Sequence, residues 1–257
     1  MTIIQSIILG LVQGITEFLP ISSSGHLLLL PKLFNWPESG LVFDVAMHLA
    51  TLLAVVWVFR SDLLEIIKGK NIRLAKLMVV ASVPIAIIGF FIKDLVDIVR
   101  NSQTAIAMLI VFGLVLMFAD MYSRKSNAQT DKNNVSYARA LVIGLAQVIS
   151  LIPGVSRSGA TISAGLFAGL DRVNAAKFSF LISIPAIFGA GLVTVFDVFQ
   201  SGESIEWVPI FAGFVSALVF GSIAINLLLK FVQKNSYSVF VWYRIAFAVI
   251  SALIIYA

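Results

Sequence analysis

The stretch GITEFLPISSSGHLLLLP, residues 14–31, places a glutamate, three serines and a histidine inside an otherwise apolar run. Pro20 lacks a backbone donor and ends a helix, so this run does not form one continuous membrane span. The apolar pieces on either side have about 12–18 residues, too few to cross about 30 Å of hydrocarbon comfortably. The stretch therefore predicts a re-entrant helical hairpin, whose polar loop is tolerated at membrane depth where it is buried in protein or lines a cavity.

The composition of the chain predicts an integral membrane protein. The 257 residues are 60% hydrophobic and 12% charged, with a mean hydropathy of +1.01, whereas a soluble domain of this length needs far more charge to cover its surface. We expect an all-α polytopic fold, because a β-barrel would show short segments of alternating hydrophobicity. The net charge of +5 is attributed to membrane topology, so no nucleic-acid partner is expected. The absence of cysteine excludes disulfides and thiolate metal sites.

Six apolar runs are long enough to be transmembrane helices. They cover residues 40–59, 74–92, 102–122, 174–196, 207–231 and 237–257. Two further apolar regions, residues 1–34 and 136–170, are each interrupted by a polar segment, which in the second region is PGVSRSG. The second region therefore predicts another re-entrant hairpin.

The two interrupted regions resemble each other. GLVQGITEFLPISSSG begins at Gly10 and GLAQVISLIPGVSRSG at Gly144, and this register also aligns Gln13 with Gln147. Each region is followed by three spans, and because three is odd, the second half must begin on the opposite side of the membrane. This pattern predicts an inverted-topology repeat with a site near the membrane midplane, the alternative being chance similarity between segments rich in Gly, Leu and Ser. The predicted organisation is one membrane domain, residues 1–257, with repeats 1–123 and 136–257 joined by a cytoplasmic loop, residues 124–135.

The distribution of basic residues predicts the orientation. Loops 60–76 and 124–139 are rich in Lys and Arg, whereas the charged residues in 200–206 are all acidic. Because basic loops face the cytoplasm, both chain ends are predicted to lie outside it. The first hairpin then enters the membrane from outside and the second from inside, as an inverted pair requires.

The first hairpin carries candidate chemistry. Gln13 and Glu17 are four residues apart and share one helical face. A glutamate within the membrane suggests function: it could bind a metal ion, act as a base or pair with an arginine, unless it is a protonated carboxyl bonded to the backbone. The serines at 22–24 could cap the next helix, and a serine cap at a buried helix start is an anion site. His26 follows in the first turn, where it is either a satisfied core residue or a functional group.

The second hairpin supplies a cation. Arg157 is flanked by Ser156 and Ser158, and Thr161 lies one turn further along. The planar guanidinium suits a pair of phosphate or carboxylate oxygens. Arg157 could instead only neutralise Glu17, and the two roles are compatible. Brought together, the carboxylate, imidazole, hydroxyls, guanidinium and two helix N-termini suit phosphoryl transfer, where positioning and charge stabilisation carry most of the catalysis.

GITEFLPISSSGH and PGVSRSGATI resemble the two signature motifs of the undecaprenyl-diphosphate phosphatase family, also known as the bacitracin-resistance protein family. The resemblance extends along essentially the whole chain. It implies a multi-pass enzyme of the bacterial inner membrane that removes the terminal phosphate of undecaprenyl diphosphate and so recycles the lipid carrier for cell-wall synthesis. It also implies contact with membrane lipid, from which the isoprenyl diphosphate substrate is taken. The implied cofactor is a divalent cation, usually Mg²⁺.

The resemblance and the residue chemistry together assign the site. The predicted catalytic residues are Glu17, Ser23, His26 and Arg157, and the predicted substrate-binding residues are Gln13, Ser22, Ser24, Ser156, Ser158 and Thr161. Many family members have a glutamate where this chain has Gln13, so Glu17 and Gln13 are an incomplete pair of ligands for Mg²⁺, which diphosphate oxygens and waters would have to complete. Ser23 is the favoured nucleophile, activated by His26 or Glu17, while attack by His26 itself or by water stays open.

Other interpretations compete with this one. Inverted repeats with broken helices are typical of secondary transporters, so a transporter or flippase of an anionic phospholipid is the alternative function, and a passive channel is a weaker one. Asp44 and His48 share a helical face and could support the site or only join two helices. Gly213, Ala217 and Gly221 form a small-residue stripe that predicts helix packing, either internal or at the seam of a homodimer.

Overall fold

The computed structural model describes residues 1–125, 135–201 and 206–256, and these residues form eleven helices and no strand. The helices are α1 (Ile3–Phe18), α2 (Ser23–Leu33), α3 (Leu41–Val58), α4 (Arg60–Ile67), α5 (Ile72–Val99), α6 (Ser102–Lys125), α7 (Tyr137–Ile149), α8 (Arg157–Phe167), α9 (Arg172–Ser201), α10 (Trp207–Val232) and α11 (Ser238–Tyr256). Most of the predicted cytoplasmic loop, residues 126–134, lies outside the described residues. The helices confirm the predicted all-α class.

Six of these helices are long and apolar enough to cross a membrane. They are α3, α5, α6, α9, α10 and α11, and each coincides with one of the six predicted spans. The hydropathy of the sequence did not predict α4, which has no buried residue and lies in the first basic loop. Helix α5 also continues to Val99, past the predicted end of its span at residue 92, because a fall in hydropathy does not by itself end a helix. The protein is therefore a polytopic helical membrane protein.

The two interrupted regions fold as two pairs of short helices, α1 with α2 and α7 with α8, and the helices within each pair pack together. Helix α1 ends just before Pro20. Each turn between the helices contains a serine in the left-handed region of backbone space, Ser22 with φ of 73° and Ser156 with φ of 74°, where residues other than glycine are strained. The re-entrant insertion and the inverted repeat stay predictions, and the paired geometry is compatible with both.

Contacts between the first and second halves hold the helices close. Helix α1 packs along α10, and α7 packs along α5. Both contacts depend on glycine, because a Cβ on Gly10 would lie 2.2 Å from the carbonyl oxygen of Gly213, and a Cβ on Gly144 would lie 2.3 Å from that of Ala81. Gly213 and Gly221 face side chains of α1 and α3, so the small-residue stripe is internal helix packing. A homodimer draws no support from the stripe and stays a prediction.

We expect Gly10→Ala to destabilise the protein by about 1–3 kcal/mol, because the added methyl group overpacks a contact between two backbones. The measurement is thermal unfolding in detergent. Gly189→Ala is the matched control, since a methyl group there meets no atom within 4 Å and alanine favours a helix over glycine. An unfolding temperature equal to that of the wild type in the Gly10 variant would argue against a backbone contact between α1 and α10.

The predicted orientation can be tested by chemical labelling, since the chain has no native cysteine. Cysteines placed at Lys70 and Gly202 are expected to react from opposite sides of intact cells. Gly202, which lies outside the described residues, should react from outside. Labelling of both positions from the same side would rule out the inverted repeat.

Candidate active site

Glu17 lies at the centre of a cluster formed by the two helix pairs. Its Oε2 accepts one hydrogen bond from the Ser23 hydroxyl at 2.6 Å and one from Nε2 of Gln13 at 3.1 Å. Its Oε1 accepts a hydrogen bond from Nη2 of Arg157 at 3.0 Å. Glu17 is only 5% exposed, so these donors take the place of water around the carboxylate. Three predicted site residues therefore bind the Glu17 carboxylate: Gln13 and Ser23 from the first helix pair, and Arg157, which is 140 residues away in sequence.

The local fold explains why these side chains converge. Gln13 and Glu17 are four residues apart on α1 and project from the same face. Ser23 is the first residue of α2, and Arg157 is the first residue of α8. Each directly follows the serine with positive φ that caps its helix. Two turns that end in the same kind of capping serine thus present a hydroxyl and a guanidinium to Glu17, and both helix N-termini add positive potential there.

Arg157 retains an unsatisfied donor after binding Glu17. Its Nη1 donates to the carbonyl oxygen of Ser179 at 3.2 Å, and its Nε is buried without a hydrogen-bond partner. The Thr161 hydroxyl donates to the backbone carbonyl of Arg157 at 2.8 Å and lies 2.6 Å from the Ser179 hydroxyl. Thr161 and Ser179 therefore hold Arg157 in place, while its Nε–H has no acceptor among the residues that the structure describes.

A cavity of about 390 Å³ lies beside this cluster. Its polar wall is formed by Glu17, Ser23, Ser24, Asp44, His48, Arg100, Ser150 and Arg157. The rest of its wall is largely apolar and includes Leu27 of α2, Val45 of α3, Ile85 of α5 and Ile187 of α9. A cavity with one charged side and one apolar side suits an amphipathic ligand such as a phosphorylated lipid.

Most of the predicted substrate-binding residues lie behind the cavity wall. Ser24 lines the cavity, whereas the hydroxyls of Ser22 and Ser156 cap α2 and α8 by accepting from the backbone at 3.2 and 3.1 Å. The Ser158 hydroxyl donates to the carbonyl oxygen of Leu19 at 3.1 Å, which joins the two turns. A direct role of these hydroxyls in phosphate binding stays a prediction.

His26 lies apart from the Glu17 cluster, although sequence reasoning placed it there as an activator of Ser23. Its Nδ1 is 2.7 Å from the carbonyl oxygen of Ser22, and its Nε2 is 2.8 Å from the Tyr243 hydroxyl. Because a carbonyl oxygen only accepts, Nδ1 carries the proton. The ring also stacks on Phe247, with centroids 4.1 Å apart. Of the two predicted activators, Glu17 is the one that contacts the Ser23 hydroxyl.

Asp44 and His48 both line the cavity but differ in their distance from Glu17. The Nδ1 of His48 lies 3.2 Å from Nε2 of Gln13 and 3.7 Å from Oε2 of Glu17. Asp44 instead accepts from the Ser39 hydroxyl at 2.7 Å and from Nη2 of Arg100 at 3.2 Å. His48 therefore supports the Glu17 cluster, and Asp44 belongs to a separate ion pair.

The Glu17 carboxylate and the side-chain oxygen of Gln13 are an incomplete set of ligands for a magnesium ion. Oε1 of Gln13 is buried and has no hydrogen-bond partner, because the amide nitrogen is the atom that turns toward Glu17. This oxygen and the Glu17 carboxylate are hard ligands of the type Mg²⁺ prefers. In the part of the chain that the structure describes, no group of three His, Asp or Glu residues could complete a site. Diphosphate oxygens and waters would have to supply the remaining ligands.

Sequence reasoning missed two residues of α11. Arg244 is fully buried and binds the backbone of both turns, and Tyr243 is the partner of His26. The sequence did contain a signal for Arg244. An arginine inside the last apolar run is an ionisable group within the membrane and therefore a functional candidate.

Comparison with known proteins points to one family. The family described as bacitracin resistance protein BacA matches residues 6–250. The chain is 44% identical to the undecaprenyl-diphosphatase of Pelobacter propionicus, covering 95% of this chain and 94% of that protein. It is 42% identical to the undecaprenyl-diphosphatase of Trichlorobacter lovleyi, with coverages of 96% and 94%. The undecaprenyl-diphosphatase of Thermomicrobium roseum is also 42% identical, with 99% of both chains covered.

Proposed function

The chain belongs to the bacitracin resistance protein BacA family, and on that premise we propose that it hydrolyses undecaprenyl diphosphate to undecaprenyl phosphate and inorganic phosphate. The observation that carries the proposal is the Glu17 carboxylate, which binds the Ser23 hydroxyl and the Arg157 guanidinium beside an amphipathic cavity. The protein is then a membrane hydrolase that returns a lipid carrier to cell-wall synthesis. Transport as the main function is not favoured, because the full-length relatives are named as diphosphatases.

In the first chemical step, Ser23 attacks the terminal phosphorus. The Ser23 hydroxyl lies 2.6 Å from Oε2 of Glu17, so its proton can pass to the carboxylate as the new O–P bond forms. The bond between the terminal phosphorus and the bridging oxygen breaks, and its electron pair leaves with undecaprenyl phosphate. Glu17 passes the proton to the departing oxygen and returns to the carboxylate form.

In the second step, water hydrolyses the phosphoserine. Glu17 takes a proton from the water as the water attacks phosphorus, and the Ser23 oxygen regains a proton as its bond to phosphorus breaks. Inorganic phosphate leaves. Arg157 and the N-termini of α2 and α8 stabilise the negative charge in both steps, which is the main contribution that proteins make to phosphoryl transfer. Direct attack by water, with Glu17 as the base, is the alternative and leaves no phosphoserine.

The substrate and the membrane explain the remaining features of the cavity. We infer that the diphosphate lies against Glu17, Ser23 and Arg157, while the isoprenyl tail follows the apolar wall toward the bilayer. We also infer that the protein lies in the bacterial inner membrane with both chain ends outside the cytoplasm, which is supported by the basic loops.

Phosphate release by the purified protein tests the function. In detergent, the protein is expected to release phosphate from undecaprenyl diphosphate, and Glu17→Gln is expected to abolish the release because the amide cannot accept the Ser23 proton. Undecaprenyl monophosphate serves as the control substrate and should release none. A folded protein that releases no phosphate from the diphosphate would leave transport as the better function.

We propose that Glu17 and Oε1 of Gln13 contribute to a Mg²⁺ site, which when filled would neutralise charge on the diphosphate. Gln13→Glu should then lower the Mg²⁺ concentration that gives half-maximal activity by about tenfold, because a carboxylate binds Mg²⁺ more strongly than an amide oxygen. The measurement is a Mg²⁺ titration of phosphate release after treatment with a chelator. An unchanged titration curve would remove Gln13 from the metal ligands.

A further inference from the structure

Arg244 is 0% exposed and is the largest fully buried side chain in the part of the chain that the structure describes. Its guanidinium makes five hydrogen bonds, each to a backbone carbonyl oxygen. Burying a charged group is unfavourable unless its donors are satisfied. The five carbonyl acceptors therefore take the place of water around this buried charge.

The acceptors of Arg244 lie in both turns that lead into the active site. Nη1 donates to the carbonyl oxygen of Pro20 at 3.1 Å, in the first turn. Nη2 donates to the carbonyl oxygens of Gly154 at 2.8 Å and Val155 at 3.1 Å, in the second turn. The remaining bonds reach α6, where Nε donates to the carbonyl oxygen of Leu109 at 2.9 Å. One side chain therefore ties both turns to each other and to a transmembrane helix.

We propose that Arg244 is a positioning residue that sets the separation of the two turns and so brings Ser23 and Arg157 to the same carboxylate. Pro20 lies two residues before the strained Ser22, and Val155 directly precedes the strained Ser156. A shift of either turn moves the first residue of the helix that follows it. The proposal rests on the proposed function, because turnover is its readout.

The geometry of the guanidinium separates this role from two simpler ones. If Arg244 only supplied positive charge to attract the diphosphate, lysine would serve as well. If it only filled volume, methionine would serve. Bridging two turns and a helix requires donors on separate atoms of one rigid plane. The guanidinium has five such N–H groups on three nitrogens, whereas the three N–H groups of a lysine all belong to one nitrogen.

The test compares Arg244→Lys and Arg244→Met with the wild type in detergent, by kcat, KM and unfolding temperature. Both variants are expected to lose about 10²-fold in kcat at a temperature where they remain folded, since a misplacement of about 1 Å can cost that much. KM should change much less than kcat. Arg172→Lys is the matched control, because Arg172 is bound to Asp120 at 3.0 Å and should keep a kcat close to the wild type.

Three results would overturn the proposal. Near-normal kcat in Arg244→Lys would show that charge suffices, and near-normal kcat in Arg244→Met would show that volume suffices. An equal loss of kcat in Arg172→Lys would show that weakening the contacts of any partly buried arginine has this effect. A wild-type protein without phosphate release would instead refute the proposed function, which the same assay reports separately.

A second pair of variants provides the test if the Arg244 variants do not fold. A Cβ on Gly159 would lie 3.0 Å from Nη1 of Arg244 and 3.1 Å from Cβ of Ser156, whereas a Cβ on Gly113 would lie 3.7 Å from Nε of Arg244, at ordinary contact distance. Gly159→Ala is expected to lower kcat by about tenfold or more as the methyl group pushes the guanidinium and the turn at Ser156 apart, and Gly113→Ala should leave it unchanged. Equal effects of the two substitutions would overturn the proposal.

Discussion

Ser23→Ala is expected to lower turnover by about 10³-fold or more, because losing a covalent nucleophile removes the whole route rather than one stabilising contact. The measurement is kcat for phosphate release from undecaprenyl diphosphate. Rapidly quenched wild-type enzyme should contain phosphoserine at position 23, and the variant should contain none. The hydroxyl that donates to Glu17 at 2.6 Å is the group that the substitution removes.

The neighbouring serines are the matched controls for this prediction. Ser22→Ala removes a helix cap, and Ser24→Ala removes a hydroxyl at the cavity wall. Each should cost about 1 kcal/mol, or roughly a factor of five to ten in rate. Three comparable and mild effects at positions 22–24 would mean that the serines only cap a helix and bind phosphate, and attack would then pass to water.

His26→Ala separates the two predicted activators. General acid–base assistance is worth about 10²–10⁴-fold, yet the His26 ring contacts the Ser22 carbonyl and the Tyr243 hydroxyl rather than Ser23. We therefore expect a loss of about tenfold, the scale of one structural hydrogen bond. A loss as large as that of Ser23→Ala would indicate that His26 is the base or the nucleophile. A trapped phosphohistidine would then identify His26 as the nucleophile.

Arg157→Lys is expected to lower turnover by about 10²–10³-fold, although the charge is kept. A loss of this size is typical when one oriented hydrogen-bond donor to a transition state is removed. The guanidinium holds Glu17 with one nitrogen and Ser179 with another, and its Nε is left for a further acceptor. A lysine ammonium is a single point charge and cannot reproduce this fork. The measurement is kcat and KM for phosphate release.

Arg124→Lys provides the control for this substitution, since Arg124 is half exposed and pairs with Asp120. It should keep normal kinetics. Near-normal turnover in Arg157→Lys would show that Arg157 serves only to balance Glu17, and would remove it from the substrate site.

Hydropathy and helix periodicity predicted the parts of the fold that depend on local sequence. The six spans follow from apolar runs, and the breaks at Pro20 and at PGVSRSG follow from residues that cannot continue a buried helix. The spacing of Gln13 and Glu17 predicted a shared face, which the structure confirms. The convergence of Ser23 and Arg157 on Glu17 was expected from the paired motifs, because both residues hold the same place in two similar turns.

Contacts between distant elements could not be predicted in this way. The position of His26 in the sequence, next to the serines, suggested that it faces Ser23, but its ring is held by Tyr243 and Phe247 of α11. Nothing local to either segment specifies that pairing. Arg244 was a detectable candidate as an arginine in a span, yet its acceptors are backbone carbonyls, which every residue carries and no sequence pattern marks.

Because α1 packs along α10, this contact can form only late in the synthesis of the chain. Helix α1 leaves the ribosome first, while α10, which spans Trp207–Val232, is among the last parts to be made. Until α10 is in the bilayer, Gly10 has no backbone to pack against, and Gln13 and Glu17 sit on a helix without its main neighbour. The first hairpin therefore lacks its main packing partner until α10 is made, and a chain that stops before α10 cannot form the contact that supports Gln13 and Glu17.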